Sequence, residues 1–304
     1  MSGYILRRGG GSIVALMALL ILVFFLSRLT GNPTDLYMPI DASLEQREAF
    51  ATKHGFNDPL YIQFGTYLAD IAKLNFGDSI FQGRPAMQAT LEAFPVTLGL
   101  ALLTMVLALG LAVLIGSLAA YRPNGLFDRV ASLLTISGAS TPDFWLAIVS
   151  ILIFSVTLGW LPTSGTGSFW HWILPVGVLL VRPLGLLTQV VRMSMISALS
   201  APYVKTARAK GARKRRIVFI HALRNSMLSV ITVAGDQAAA LINGAVVIET
   251  VFGWPGIGNL MISAIKQRDF AVLQACIIVT AIAIFLMNMI IDFAYSRLDP
   301  RIRG

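Results

Sequence analysis

Charge is scarce in this chain: Asp, Glu, Lys and Arg make up 13% of its 304 residues, and 56% of the residues are hydrophobic. A soluble globular domain carries about 25% charged residues, so that class is excluded and the chain reads as a membrane protein. Cysteine is nearly absent too, and the single Cys276 cannot form an internal disulfide. His54, His171 and His221 are too scattered for a zinc motif, so no metal site is expected. No G-x-x-x-x-G-K-[ST] phosphate loop occurs, and no Ser/His/Asp triad, paired catalytic carboxylates or Cys/His arrangement stands at useful spacing. Nothing marks an enzyme, a catalytic residue or a cofactor held by this chain. Solenoid repeats and low-complexity tracts are missing as well.

Long apolar runs are what the chain has in abundance. Windows of about 20 apolar residues, enough to cross roughly 30 Å of hydrocarbon, lie near 12–30, 95–120, 130–160, 173–199, 226–251 and 271–294. No small-residue cleavage site follows 12-SIVALMALLILVFFLSRLT-30, which reads as a retained first helix. The third window contains 140-STPD-143, where a proline removes a backbone donor and predicts a kink or an interrupted helix. The net charge of +9 follows the loops: 1–11, 121–129, 200–224 and 295–304 hold 2, 2, 8 and 3 Lys or Arg, against 4, 0 and 2 in 31–94, 161–172 and 252–270. By the positive-inside rule both termini are cytoplasmic and 31–94 lies outside. The chain thus predicts an all-α membrane protein with six transmembrane helices, divided into 1–30, an outer helical segment 31–94 and a core 95–304.

The outer segment carries its own signals. Ser43 with Gln46 forms a capping box, and Gly55 is placed to end the helix that follows. Asp58 and Pro59 predict an N-cap and first helical residue, with Tyr61, Phe64, Leu68, Ile71 and Ala72 on one face. Two readings stand: a loop packed on helix ends, or a docking surface for an external partner.

The basic stretch 203-YVKTARAKGARKRRIVFIHALRN-225 falls in a cytoplasmic loop. Topology alone explains many of its charges, and a nucleic-acid patch would need interleaved aromatics on a soluble module, so no nucleic acid is expected. The third reading is docking: a helix from Tyr203 to Lys210, a break at Gly211, and a second helix from about Arg213 into the membrane. Ala207, Ala209 and Ala212 around the glycine would let another protein approach closely. Within the spans, Asp143, Arg182, Asp236 and Glu249 sit where a central charge costs roughly 2.5–3.5 kcal/mol, so they face the bundle interior, a wet cavity or each other. They line a path for a polar or zwitterionic cargo, or they bridge internally or meet a second subunit. Arg192 and Asp292, near the cytoplasmic ends, read as structural. In 252-FGWPGIGN-259 the glycines around Trp254 and Pro255, Gly256 among them, force a tight turn that serves as an interfacial anchor or an outer gate.

These segments, 203-YVKTARAKG-211 with 221-HALRN-225, resemble the coupling loop of ABC transporter permeases in the branch importing dipeptides, oligopeptides and nickel complexes. In order along the chain, 76-FGDS-79, 83-GRP-85, 95-PVTLGLAL-102, 160-WLPTSGTGS-168, 249-ETVFGWPGIG-258 and 297-RLDPRIR-303 match that branch, covering nearly the whole length. The general motif has Glu-Ala-Ala before its glycine where this chain has 205-KTA-207, so only Ala207 and Gly211 carry over cleanly. Ser229 stands where the family usually has proline, which loosens the bend expected there.

The resemblance implies an inner-membrane permease subunit of a binding-protein-dependent importer, working by alternating access. Its partners are a second homologous permease, two ATP-binding subunits carrying ATP and Mg, and a periplasmic solute-binding protein. It places Tyr203, Ala207, Gly211, Ala212 and Arg213 at the ATPase contact. Arg213 to Arg216 meet acidic ATPase residues or anionic membrane lipids, the latter worth about 1 kcal/mol per charge. The competing classes are an ATP-independent secondary transporter or channel, and a scaffold or sensor with a lipid-binding loop. The cargo stays open among dipeptide, oligopeptide, nickel complex and other small polar solutes.

Overall fold

The computed structural model describes residues 14–15, 17–25, 34, 42–53 and 55–298. Its regular structure is helical, and among the described residues the one extended pairing is the isolated bridge between Asp78 and Pro85. The fold divides into two compact units, Met1–Phe94 with Leu260–Phe285, and Pro95–Asn259 with Leu286–Gly304.

In the first unit, helix α1 covers 17–25, α2 Leu44–Lys53 and α3 Leu60–Ala72. The capping box at α2 is reciprocal: the Gln46 N–H donates to Ser43 Oγ at 3.2 Å and the Ser43 N–H to Gln46 Oε1 at 3.0 Å. At α3 the sequence expectation shifts by one residue. Pro59 takes the N-cap position with no side-chain cap, and Gln63 Nε2 donates to the carbonyls of Asp58 and Phe56 instead. The packed face shifts with it: Phe64, Tyr67, Leu68 and Ile71 are half-buried, whereas Tyr61 is 76% exposed and Ala72 is exposed. Phe24 of α1 sets that register, its ring 5.2 Å from Phe64 and 5.3 Å from Tyr67.

The motif residues 76–85 form a turn ahead of α4, Ala86–Tyr121. Ser79 N–H donates to Arg84 O at 2.9 Å and Ala86 N–H to Gly77 O at 3.0 Å. Ser79 Oγ also donates to Asp269 Oδ2 at 2.5 Å, and Asp269 caps α11, Phe270–Leu298, by accepting from the Val272 N–H at 3.3 Å. Thr90 and Cys276 meet at 3.6 Å in the same unit.

In the second unit, α7 (Phe169–Ser200) is the central element, with α5 (Leu126–Ser140), α6 (Asp143–Ser150) and α9 (Leu223–Val251) packed on it. Without water to drive apolar association inside a bilayer, close approach relies on small residues. Ala108 and Ala112 of α4 accordingly sit on Leu187 and Ala234, and at Gly185 a side chain would collide with the Thr135 carbonyl. The break expected at 140-STPD-143 is a sharp one, since α5 and α6 meet at 103° with Thr141 and Pro142 extended between them. A π-helical stretch, Ile151–Thr157, continues α6, and another, Ile217–Ala222, opens α9.

Among the described residues, four helices are long and apolar enough to cross a membrane: Ala86–Tyr121, Phe169–Ser200, Ile217–Val251 and Phe270–Ile291. The bent pair α5–α6 makes a fifth if it acts as one span. The sixth window, near 12–30, lies partly outside the described residues, as do the tail beyond Leu298 and the Asp292 side chain. Two spans start earlier than hydropathy places them. One begins at Ala86 because Pro85 sits just before its first turn and Pro95 is accommodated within the helix. The other begins at Ile217 because the apolar run 217-IVFIHAL-223 continues the helix at its N-terminal end.

Candidate functional site

The loop after α7 contains α8, Pro202–Ala209, started by Pro202 in its first turn and stopped at Gly211. Gly211 has φ +78°, a conformation that costs side-chain-bearing residues about 1–2 kcal/mol. Its N–H donates to Arg208 O at 2.9 Å and the Ala212 N–H to Ala207 O at 3.1 Å, the two bonds of a Schellman cap. Val204, 1% exposed, fixes the helix from below, and Ala207, one turn on, is half-buried. Tyr203, Lys205, Thr206, Arg208, Ala209, Lys210, Gly211 and Arg213 face solvent, with Ala212 half-buried beside them. The chain re-enters helix at Lys214–Arg216 and passes through the π-turn into α9. A short, rigidly capped cationic helix is thereby joined to two membrane-length helices by connections of a few residues.

At the other end of α9, Glu249 is 0% exposed. Its Oε1 accepts from Thr97 Oγ1 at 2.5 Å, and its Oε2 from the N–H groups of Gly258 at 2.7 Å and Asn259 at 3.2 Å. Thr97 Oγ1 in turn accepts from the Ile257 N–H at 2.8 Å. The carboxylate therefore sits on the N-terminus of α10, Ile257–Gln267, where free amides and the helix dipole favour a negative charge. Gly256 and Gly258 are demanded by that approach: a Cβ at Gly256 would overlap the Glu249 carboxylate, and one at Gly258 would lie 2.5 Å from Val246 Cα. The turn closes with the Trp254 N–H on Glu249 O at 2.8 Å and the Gly256 N–H on Trp254 O at 2.8 Å. Trp254 is 1% exposed and packs edge-to-face on Trp172 at 4.7 Å, so it is an internal residue of the turn and not an interfacial anchor. The Gly165 N–H donates to Phe252 O at 2.8 Å, which brings 160-WLPTSGTGS-168 onto this turn.

The remaining predicted charges do not cluster with Glu249. Asp143, in the first turn of α6, is half-buried, and the Arg182 charge on α7 acts on it through space with no ion pair or hydrogen bond between them. Arg182 and Asp236 are exposed on the surface of this chain. Pro255 follows Trp254 in the turn and is exposed.

Comparison with known proteins fits this geometry. Residues 112–304 match the family model described as the binding-protein-dependent transport system inner membrane component. The oligopeptide transport system permease protein AppB of Bacillus subtilis (strain 168) is 36% identical, with 99% of each chain covered. The chain belongs to this family of membrane permeases. The di/tripeptide transport system permease protein DppB of Pseudomonas aeruginosa (strain UCBPP-PA14) is 37% identical over 100% of this permease and 99% of its own length. A solved structure of the MetNI methionine ABC transporter superposes with a TM-score of 0.59 at 16% identity, covering 70% of the permease and 97% of that chain, a likeness of fold. The permease is a transport component of an ABC importer and not an enzyme; ATP hydrolysis belongs to separate subunits.

Two groups of the permease escape a reading of its sequence. Thr97 lies 152 positions before Glu249, and only its place in 95-PVTLGLAL-102 beside a polar gap in an apolar run hints at a role. Asp128, 2% exposed, takes both prongs of the Arg192 guanidinium, Nε on Oδ1 and NH2 on Oδ2 at 2.8 Å, and accepts from the Asn124 N–H at 2.7 Å. That pair ties the first turn of α5 to α7. Gln189 Nε2, one turn earlier on α7, adds a bond at 2.8 Å to Thr135 Oγ1, two turns further along α5.

Proposed function

We propose that the permease forms half of the translocation pathway of an ATP-driven importer of short peptides or a related small polar solute. A second, homologous permease supplies the other half, two ATP-binding subunits hold ATP and Mg, and a periplasmic binding protein delivers the cargo to the outer face. The observation that carries this reading is α8: an exposed helix closed by a Schellman cap at Gly211 and anchored by Val204 between α7 and α9. A push on such a lever reaches both membrane-length helices, because its connections to them are short and its C-terminal end is capped at Gly211. Tyr203, Ala207, Gly211, Ala212 and Arg213 form the contact with the ATPase. Relatives that carry peptide transport in their names support the cargo class.

On this reading the count of Lys and Arg by loop puts both termini and α8 in the cytoplasm and the α2–α3 segment in the periplasm, where it receives the binding protein. With 12–30 as the first span and α5–α6 as one broken span, six spans result. Asp143, Arg182 and Asp236 face the pathway, where opposite charges hold the two ends of a zwitterion. Glu249 acts instead as the pin of the outer turn formed by Trp254, Pro255 and Gly256.

Reconstitution in proteoliposomes with the partner permease, the ATPases and the binding protein tests this. Uptake of labelled peptide should require ATP and every subunit. Uptake by this chain alone, indifferent to ATP, would show a secondary transporter and end the proposal.

A further inference from the structure

A cleft of about 530 Å³ opens beside α8, inside the roughly 300–1,000 Å³ range of small-ligand sites. Its walls come from the ends of two membrane-length helices, Ala120 and Tyr121 of α4 and Ile196 and Leu199 of α7, and from Ile217 of the π-turn. Lys205 and Arg208, three residues apart on α8, are the charged side chains that line it. Neither takes an acidic partner among the described residues, and no Asp or Glu occurs anywhere in 144–235. The nearest acid on the α4–α5 side, Asp128, is consumed by Arg192 and the Asn124 N–H. The cleft therefore combines two uncompensated cations at one rim with apolar walls at the level where membrane helices end.

We propose that this cleft seats an anionic phospholipid of the cytoplasmic leaflet, its phosphate between Lys205 and Arg208 and its glycerol and upper acyl chains against Ile196, Leu199 and Ile217. An acidic side chain from a soluble partner would answer the two charges and leave the apolar walls unfilled; a phospholipid answers both. A lipid held there packs under the helix that joins α7 to α9, so its presence stiffens that joint. The proposal rests on the cytoplasmic placement of the loop and is independent of which cargo is carried.

The test uses the full-length chain extracted with its native subunits, delipidated, and titrated with phosphatidylglycerol, phosphatidylcholine or inorganic phosphate under native mass spectrometry. Phosphatidylglycerol should bind in a 1:1 ratio and phosphatidylcholine should not. Loss of the two side-chain charges that face the headgroup predicts roughly tenfold or more weaker phosphatidylglycerol binding in the Lys205→Gln/Arg208→Gln variant. The charge-keeping Lys205→Arg/Arg208→Lys variant, and Arg215→Gln/Arg216→Gln outside the cleft, should bind like the parent. If the double glutamine variant does not fold, Lys205→Gln alone carries the comparison. Equal loss in the two glutamine pairs would show diffuse surface attraction and overturn the site. Displacement of lipid by inorganic phosphate at equal concentration would assign a small-anion site instead. A Lys205→Gln/Arg208→Gln variant that keeps its lipid but sheds its co-purifying ATPase would give the cleft to that protein. Failure of lipid binding with intact ATP-dependent uptake would sink this proposal and leave the importer reading standing.

Discussion

Glu249 and its neighbours show how much of one motif a single carboxylate explains. In 249-ETVFGWPGIG-258, the glutamate supplies the charge, Gly258 one of the amides that hold it, and Gly256 the space it occupies. Glu249→Ala leaves the Thr97 hydroxyl and two amides buried without their acceptor, at about 1–3 kcal/mol for each unsatisfied group. The melting temperature of the purified permease should fall sharply. Gly256→Ala should be comparably damaging in the parent, because its methyl meets the carboxylate, and much less so in the Glu249→Ala background where that obstacle is gone. A double-mutant cycle on thermal stability measures this coupling; simple additivity would contradict the cradle. The Asp128–Arg192 pair offers a second case. Asp128→Asn should cost about 2 kcal/mol by leaving Arg192 without its charged partner, and Arg192→Lys should recover only part of the pair, since an ammonium cannot make both bonds in one plane. Denaturation of the two variants in detergent checks the order.

At the scale of elements, the coupling role proposed for α8 makes its cap at Gly211 the place to test. Gly211→Pro removes the N–H that donates to Arg208 O and fixes φ near −65°, far from the +78° the turn requires. The variant should insert normally and lose ATP-dependent uptake, and Ala207→Glu should do the same by placing a bulky charge at a half-buried position. Unchanged uptake in both would remove α8 from the coupling path. The break between α5 and α6 was visible in 140-STPD-143, as was the α2 capping box, because both are written by neighbours within a few residues. The register of α3 was not, since Phe24 of another element decides which face is packed. The π-turn at Ile217–Ala222 was equally hidden: hydrophobicity reads the same whether a turn holds three or four residues and a fraction more. Likewise the Thr97–Glu249 and Asp128–Arg192 bonds join residues 152 and 64 positions apart, beyond any local pattern.

For the whole molecule, the skewed charge distribution makes a topological prediction. Cys276 is buried and hydrogen-bonded to Thr90, so Cys276→Ser puts a hydroxyl in place of the thiol and leaves a cysteine-free background. In that background Lys210→Cys should react with a membrane-impermeant maleimide only in inside-out vesicles, and Tyr61→Cys only in intact spheroplasts. The reverse pattern would invert the orientation drawn from the Lys and Arg counts. Membrane character and helical class were legible from composition alone, because a bilayer imposes a length rule on every span. Packing of α7 against α5, α6 and α9 was not, since small residues such as Gly185 fit many partners equally well.

The turn that holds Glu249 also bears on how the chain is made. Glu249 leaves the ribosome before the amides of Gly258 and Asn259 that will hold it. A product ending between those points carries a naked acid at the end of an otherwise apolar segment. Only completion of the turn supplies its partners, so the charge of Glu249 is satisfied by residues that follow it in the chain.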